Sequence, residues 1–115
     1  MVALSRNVSR KHAMEMLLTG ASVGAEDAAR MGLVNKVVPA EGLAEETTVM
    51  ARLIASKSPL TLKIGKEAFY AQAEMGLDEA YALTARVMVE NMLARDAEEG
   101  ISAFIEKRSP VWEGR

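Results

Sequence analysis

At 115 residues the chain is one domain at most. Its net charge of −2 argues against a general nucleic-acid binder, and its lack of cysteine excludes disulfides and thiolate sites. Aromatics make up only 4%, so Met, Ala and Leu must fill the core; Met and Ala favour helix, and Met packs adaptably.

Ser9 is placed to cap a helix from about Arg10 to Thr19, with Met14, Leu17 and Leu18 on one face and Gly20 as its left-handed stop. The basic run from Arg6 to His12 reads as a solvated helix start; a DNA-binding helix–turn–helix would rest on it alone. Gly24 caps a second short helix, whose first turn carries Glu26 and Asp27 where the helix dipole favours acids. Gly32 closes it and Leu33 supplies the hydrophobic contact that often follows. Leu33 to Val38 is short and β-branched and is expected to form a strand ended by Pro39, paired with Ala21 to Val23 or with a segment elsewhere.

A third helix is expected from about Gly42 to Ser56, with Leu43, Thr47, Met50 and Ile54 at helical spacing. Ser58-Pro59 opens a fourth, with Ser as cap and Pro at the first position, where its missing N–H costs nothing. It runs to near Gly76 with Leu60, Ile64, Ala68 and Ala71 on one face. The fifth spans about Asp78 to Leu93, with a stripe of Tyr81, Ala85, Met88 and Met92 widened by Leu83 and Val87. Asp96 to Glu99 nearly matches a capping box, Asp as cap and Glu at N3, and opens a last helix through about Lys107. Pro110 stops it. The expected class is mainly α, about six helices with one or two short strands. No apolar run approaches the roughly 20 residues that span a bilayer, and Met1 to His12 lacks the apolar core of a signal peptide, so a cytoplasmic chain is expected.

Chemistry-bearing patterns are sparse. His12 is the only histidine, which excludes a histidine metal cluster, and it reads as a surface residue. The pairs Glu26-Asp27, Glu45-Glu46 and Glu98-Glu99 point about 100° apart on a helix and do not converge for acid–base work. No glycine-rich phosphate loop occurs, and Lys57, Lys63 and Lys66 read as solvating charges. Phe104 and Lys107 lie three apart on one side of the last helix. A ring beside a cation suits a flat base bearing a phosphate; a core ring beside a dipole-matched terminal cation is the other reading.

Four segments in order, Arg6–Gly20, Ala25–Pro39, Ala55–Phe69 and Arg95–Arg115, resemble the C-terminal region of the crotonase superfamily, the enoyl-CoA hydratases and isomerases. Leu83–Gly100 (LTARVMVENMLARDAEEG) looks most like the divergent enoyl-CoA hydratase-domain proteins. The resemblance implies that residues 1–115 are a C-terminal helical domain that assembles the protein and partly covers CoA. The catalytic α/β spiral, with its oxyanion glycines and glutamate pair, would lie upstream. No catalytic residue transfers; Glu41 and Glu98 are not substitutes. The parent would act on acyl-CoA thioesters in fatty-acid metabolism, by hydrating a 2-enoyl-CoA, as a homo-oligomer (trimer or hexamer). No covalent cofactor, metal, nucleic acid or membrane is implied. By the same resemblance Phe104 lies near the CoA adenine and Lys107 near its 3′-phosphate. The rival expectation is a free-standing helical module that self-associates without catalysis.

Overall fold

The computed structural model describes all 115 residues, as seven α-helices and one 3₁₀ turn with no strand. The chain divides after Thr47 into two compact units.

The first unit holds α1 (Val2–Asn7), α2 (Arg10–Thr19), α3 (Ala25–Arg30), the 3₁₀ turn Ala40–Gly42 and the start of α4 (Leu43–Ala55). Sequence periodicity missed α1, which has no side-chain cap. Ser9 caps α2 by accepting the His12 N–H, and Gly20 ends the helix at φ 64°. The expected strand over 33–38 does not form. Gly32, at φ 81°, turns the chain so that the Leu33 and Val34 N–H groups both point back to the Ala28 carbonyl at the end of α3. Those donors are therefore unavailable to a ladder, and Ala21–Val23 forms no partner strand. Lys36 in the following segment instead pairs with Glu46 in the first turn of α4.

The second unit is built on the antiparallel pair α5 (Pro59–Gln72) and α6 (Leu77–Met92). Ser58 caps α5, accepting the Thr61 N–H at 3.1 Å, with Pro59 in the first turn. Gly76 does not close this helix; it is the N-cap of α6. The seam uses most of the expected α5 face, with Leu60, Ile64 and Ala68 half-buried and Ala71 exposed. On α6 the packed face is Ala80, Leu83, Thr84 and Val87, whereas the expected stripe of Tyr81, Met88 and Met92 is exposed. Thr84 can sit in the seam because its hydroxyl bonds the Ala80 carbonyl at 2.8 Å, leaving only its methyl to pack.

The last helix, α7 (Arg95–Glu106), begins two residues earlier than a capping box would place it. Asp96 lies inside its first turn at 2% exposure and caps nothing on its own helix. Its carboxylate accepts the Ser58 hydroxyl and the N–H groups of Glu113 and Gly114, the latter two at 2.8 and 3.1 Å. Its own N–H donates to the Arg115 carbonyl at 2.9 Å. The C-terminal segment thus folds back on α7. There Trp112 donates its indole N–H to the Ser56 carbonyl at 2.8 Å and lies against Gly100.

A Cβ at position 100 would stand 3.3 Å from the Trp112 ring. Gly100→Val is expected to unseat the chain's one tryptophan, shifting its fluorescence to the red while far-ultraviolet dichroism holds. Trp112→Ala should cost about 2 kcal/mol in chemical denaturation, roughly half the loss for a fully buried ring. Unchanged emission in a folded Gly100→Val protein would show that the ring is not seated on α7.

Candidate functional site

Of the residues singled out by sequence, the structure joins Phe104 and Lys107. Phe104 lies on the last turn of α7 and is 74% exposed, so it is not a core residue. Lys107 is the C-terminal cap of the helix, and its ammonium stands 4.3 Å from the centre of the Phe104 ring. A cation–π contact at an exposed site stabilises by only about 0.5–1 kcal/mol. A charge-assisted bond to a phosphate is stronger. An arriving phosphate would draw the ammonium off the ring and leave an aromatic face for a flat base. The pair is chemically suited to that ligand and to no bond-making step.

The residue after Lys107 is tightly held. The Arg108 guanidinium grips both oxygens of Glu99, at 2.5 and 2.9 Å, and reaches Glu106 at 2.6 Å. Glu99 also accepts the Val111 N–H at 2.7 Å. Arg108, and then the Val111 N–H, hold the Glu99 carboxyl down at about 2. The Asp96 carboxyl is also below its usual range; the Ser58 hydroxyl and the Glu113 and Gly114 N–H groups outweigh the effect of desolvation. Glu99, and secondarily Glu106, raise the Arg108 value further. Sequence reading assigned Asp96 and Glu99 to helix capping. Their partners lie 9 to 38 residues away, Arg108 and Val111 for Glu99 and Ser58, Glu113 and Gly114 for Asp96, and no local spacing reveals them.

The groove of about 390 Å³ beside α7 is a different surface. Asp96, Glu98, Glu99, Glu106 and Glu113 line it, with Arg95 and Arg108, and both cations are already paired with glutamates. Five carboxylates would repel a phosphate. Phe104 lies about 140° round the helix from Glu99, away from that groove. The other sequence candidates stay apart. His12 is half-buried rather than fully solvated, and its Nδ1 has no hydrogen-bond partner. Lys57, Lys63 and Lys66 are exposed. Within the acidic pairs, Asp27 meets Arg30, Glu46 meets Lys36, Glu98 meets Arg95 and Glu99 meets Arg108, so no pair converges on one site. No three acidic or histidine side chains gather as a metal-ligand group, and no helix is long and apolar enough to cross a membrane.

The whole sequence, residues 1–115, matches the family model described as Enoyl-CoA hydratase/isomerase. The chain belongs to the enoyl-CoA hydratase/isomerase family. It is 50% identical over 111 residues to the mitochondrial enoyl-CoA hydratase domain-containing protein 3 of Rattus norvegicus, covering 96% of this chain and 37% of that protein. The crystal structure of the human enoyl-CoA hydratase domain-containing protein 3 superposes with a TM-score of 0.92 at 50% identity, over 96% of this chain and 44% of that one. An enoyl-CoA hydratase structure from Mycobacterium smegmatis gives 0.93 at 48% identity, over 96% and 43%. The chain therefore spans less than half the length of these relatives. The rat protein's name places that relative in the mitochondrion, a compartment other than the cytoplasm expected from sequence for this chain.

Within this family chain the carboxylates that hold the terminal segment set a pH dependence. Both are depressed, so their stabilisation is complete above the unfolded carboxylate value and is lost as pH falls through the folded one. For Glu99 that window runs from 4.5 down to about 2. Trp112 emission is expected to stay constant from neutral pH to about 4.5 and to shift red below it. In the Asp96→Asn/Glu99→Gln double variant the shift should already be present at neutral pH. An unaltered acid transition in that variant would show that other groups hold the segment.

Proposed function

We infer that these 115 residues are the helical C-terminal domain of an enoyl-CoA hydratase/isomerase-type protein. Their own work is assembly and partial cover of the CoA moiety. The parent reaction is hydration of a 2-enoyl-CoA, and its catalytic groups lie on the upstream α/β spiral.

One observation carries the reading: the chain buries almost none of its large apolar side chains. Its buried hydrophobics are Val8, Ala13, Ala28 and Ala103. Leu18, Leu43, Leu77, Tyr81 and Leu93 are all at least 60% exposed. The accessible surface is 9274 Å². A closed monomer of 12.4 kDa exposes about 6,100 Å². Two separate units divided after Thr47 would together expose about 7,400 Å². Helices with apolar side chains this open are built to be covered by other protein. Acyl-CoA as the parent's substrate is supported by the family, and the exposed Phe104–Lys107 pair supports contact with its adenine and 3′-phosphate. A trimer or hexamer is the expected assembly, with the cytoplasm as the expected compartment.

Two measurements test this. The isolated chain is expected to show no hydration of crotonyl-CoA above blank, followed by absorbance of the conjugated thioester. Turnover that is lost in Phe104→Ala or Lys107→Glu would overturn the inactive reading. In light scattering the chain should self-associate with concentration, because nothing else covers its apolar faces. A monodisperse monomer at high concentration would remove the assembly role.

A further inference from the structure

We propose that Glu99 and Arg108 are positioning residues that preset Lys107 and so make the Phe104–Lys107 pair selective for a 3′-phosphorylated adenine nucleotide. The proposal rests on the reading of that pair as a nucleotide contact and adds the device that aims it.

Lys107 lies one residue past the last helical residue, where chain ends ordinarily fray and a long side chain samples many positions. It is also the one non-glycine residue with positive φ, at φ 57° and ψ 36°. That left-handed conformation is disfavoured for a residue with a Cβ, so neighbouring contacts must hold it. Two sets do so. The Arg108 N–H returns to the Ala103 carbonyl at 3.0 Å, closing the helix around Lys107. The Arg108 side chain is then pinned to both Glu99 oxygens and to Glu106. A planar guanidinium on a carboxylate fixes direction as well as distance, which a lysine in its place would not.

The charges divide accordingly. Arg108 is engaged by two glutamates, while the Lys107 ammonium rests on a ring rather than on a carboxylate. Lys107 is therefore the cation available to a ligand phosphate, and its backbone is fixed before the ligand arrives. Preordering of this kind raises affinity by removing the ordering cost from the binding step. It acts only on the part of the ligand that the ammonium touches. Glu99 and Arg108 should accordingly affect discrimination between nucleotides with and without a 3′-phosphate, and not the stacking of the base.

The test titrates the 115-residue chain with adenosine 3′,5′-bisphosphate and with adenosine 5′-phosphate, following the backbone amide signals of Phe104 and Lys107 by NMR. The unaltered chain is expected to prefer the bisphosphate by about tenfold, the scale of one charge-assisted bond. Glu99→Gln and Arg108→Lys should each reduce that preference severalfold and leave the monophosphate affinity unchanged. Lys107→Gly keeps a residue suited to positive φ, so it should lose the preference without losing thermal stability. If the unaltered chain binds neither nucleotide, or both equally, the nucleotide reading of Phe104 and Lys107 fails. If it discriminates and the Glu99 and Arg108 variants discriminate equally well, the positioning role alone is overturned. Parallel loss of both nucleotides in those variants also overturns it, since that is the signature of general unfolding.

Discussion

The carboxylate of Asp96 holds the second unit together. It is almost fully buried, and every group around it donates to it: the Ser58 hydroxyl and the N–H groups of Glu113 and Gly114. Ser58 at the same time accepts from Thr61 and so caps α5. One side chain therefore links the start of α5, the first turn of α7 and the end of the chain. Hydrogen bonds in such a chain polarise one another, and the first turn of a helix favours the negative charge. A buried carboxylate without these donors would be strongly destabilising. The terminal segment is thus held by polar contacts, with Trp112 adding an apolar lid over Gly100.

Polar anchoring matters because the apolar core is slight. The buried hydrophobics are one valine and three alanines, and small residues at helix contacts bring backbones close while removing little area from water. The long side chains face outward, Met14, Met50, Met88 and Met92 among them. Methionine suits a surface that must fit a neighbour closely, since it is flexible and polarizable. Local helices set by caps and glycine stops, together with a few ion pairs, give the chain its form. The large apolar faces are left exposed.

The Phe104–Lys107 pair lies at the edge of this arrangement, where α7 gives way to the terminal segment. The same clamp that ties the segment to α7 also sets the turn that carries the ammonium. The anchoring of the segment and the placement of the Lys107 ammonium are therefore coupled through Glu99 and Arg108. The acid-lined groove lies on the other side of α7, where the helix face that bears the clamp is electrostatically closed to an anion. The Lys107 ammonium stands beyond the helix end, on the side of the exposed ring.

Much of the fold could be read along the chain. The start of α2 at Ser9, its stop at Gly20, the stop of α3 at Gly32 and the opening of α5 at Ser58-Pro59 all depend on contacts within four or five residues, so local spacing sufficed. A separation of three suggested that Phe104 and Lys107 are neighbours, but Lys107 lies past the helix end at φ 57°, and its placement over the ring depends on that left-handed turn. The failures share one cause. Leu33 to Val38 has the composition of a strand, but a strand exists only through a partner's hydrogen bonds, and its first donors were taken by Ala28. The α6 stripe has helical periodicity all round, and only the approach of α5 selects Leu83 and Val87 over Tyr81 and Met88. Asp96 and Glu99 have the spacing of a capping box, yet the donors they satisfy come from Ser58 and the last eight residues. Local sequence determines where helices start and stop, because those hydrogen bonds close within a turn or two. Which face is covered, and which buried carboxylate meets which donor, is decided by segments that meet only when the chain has folded.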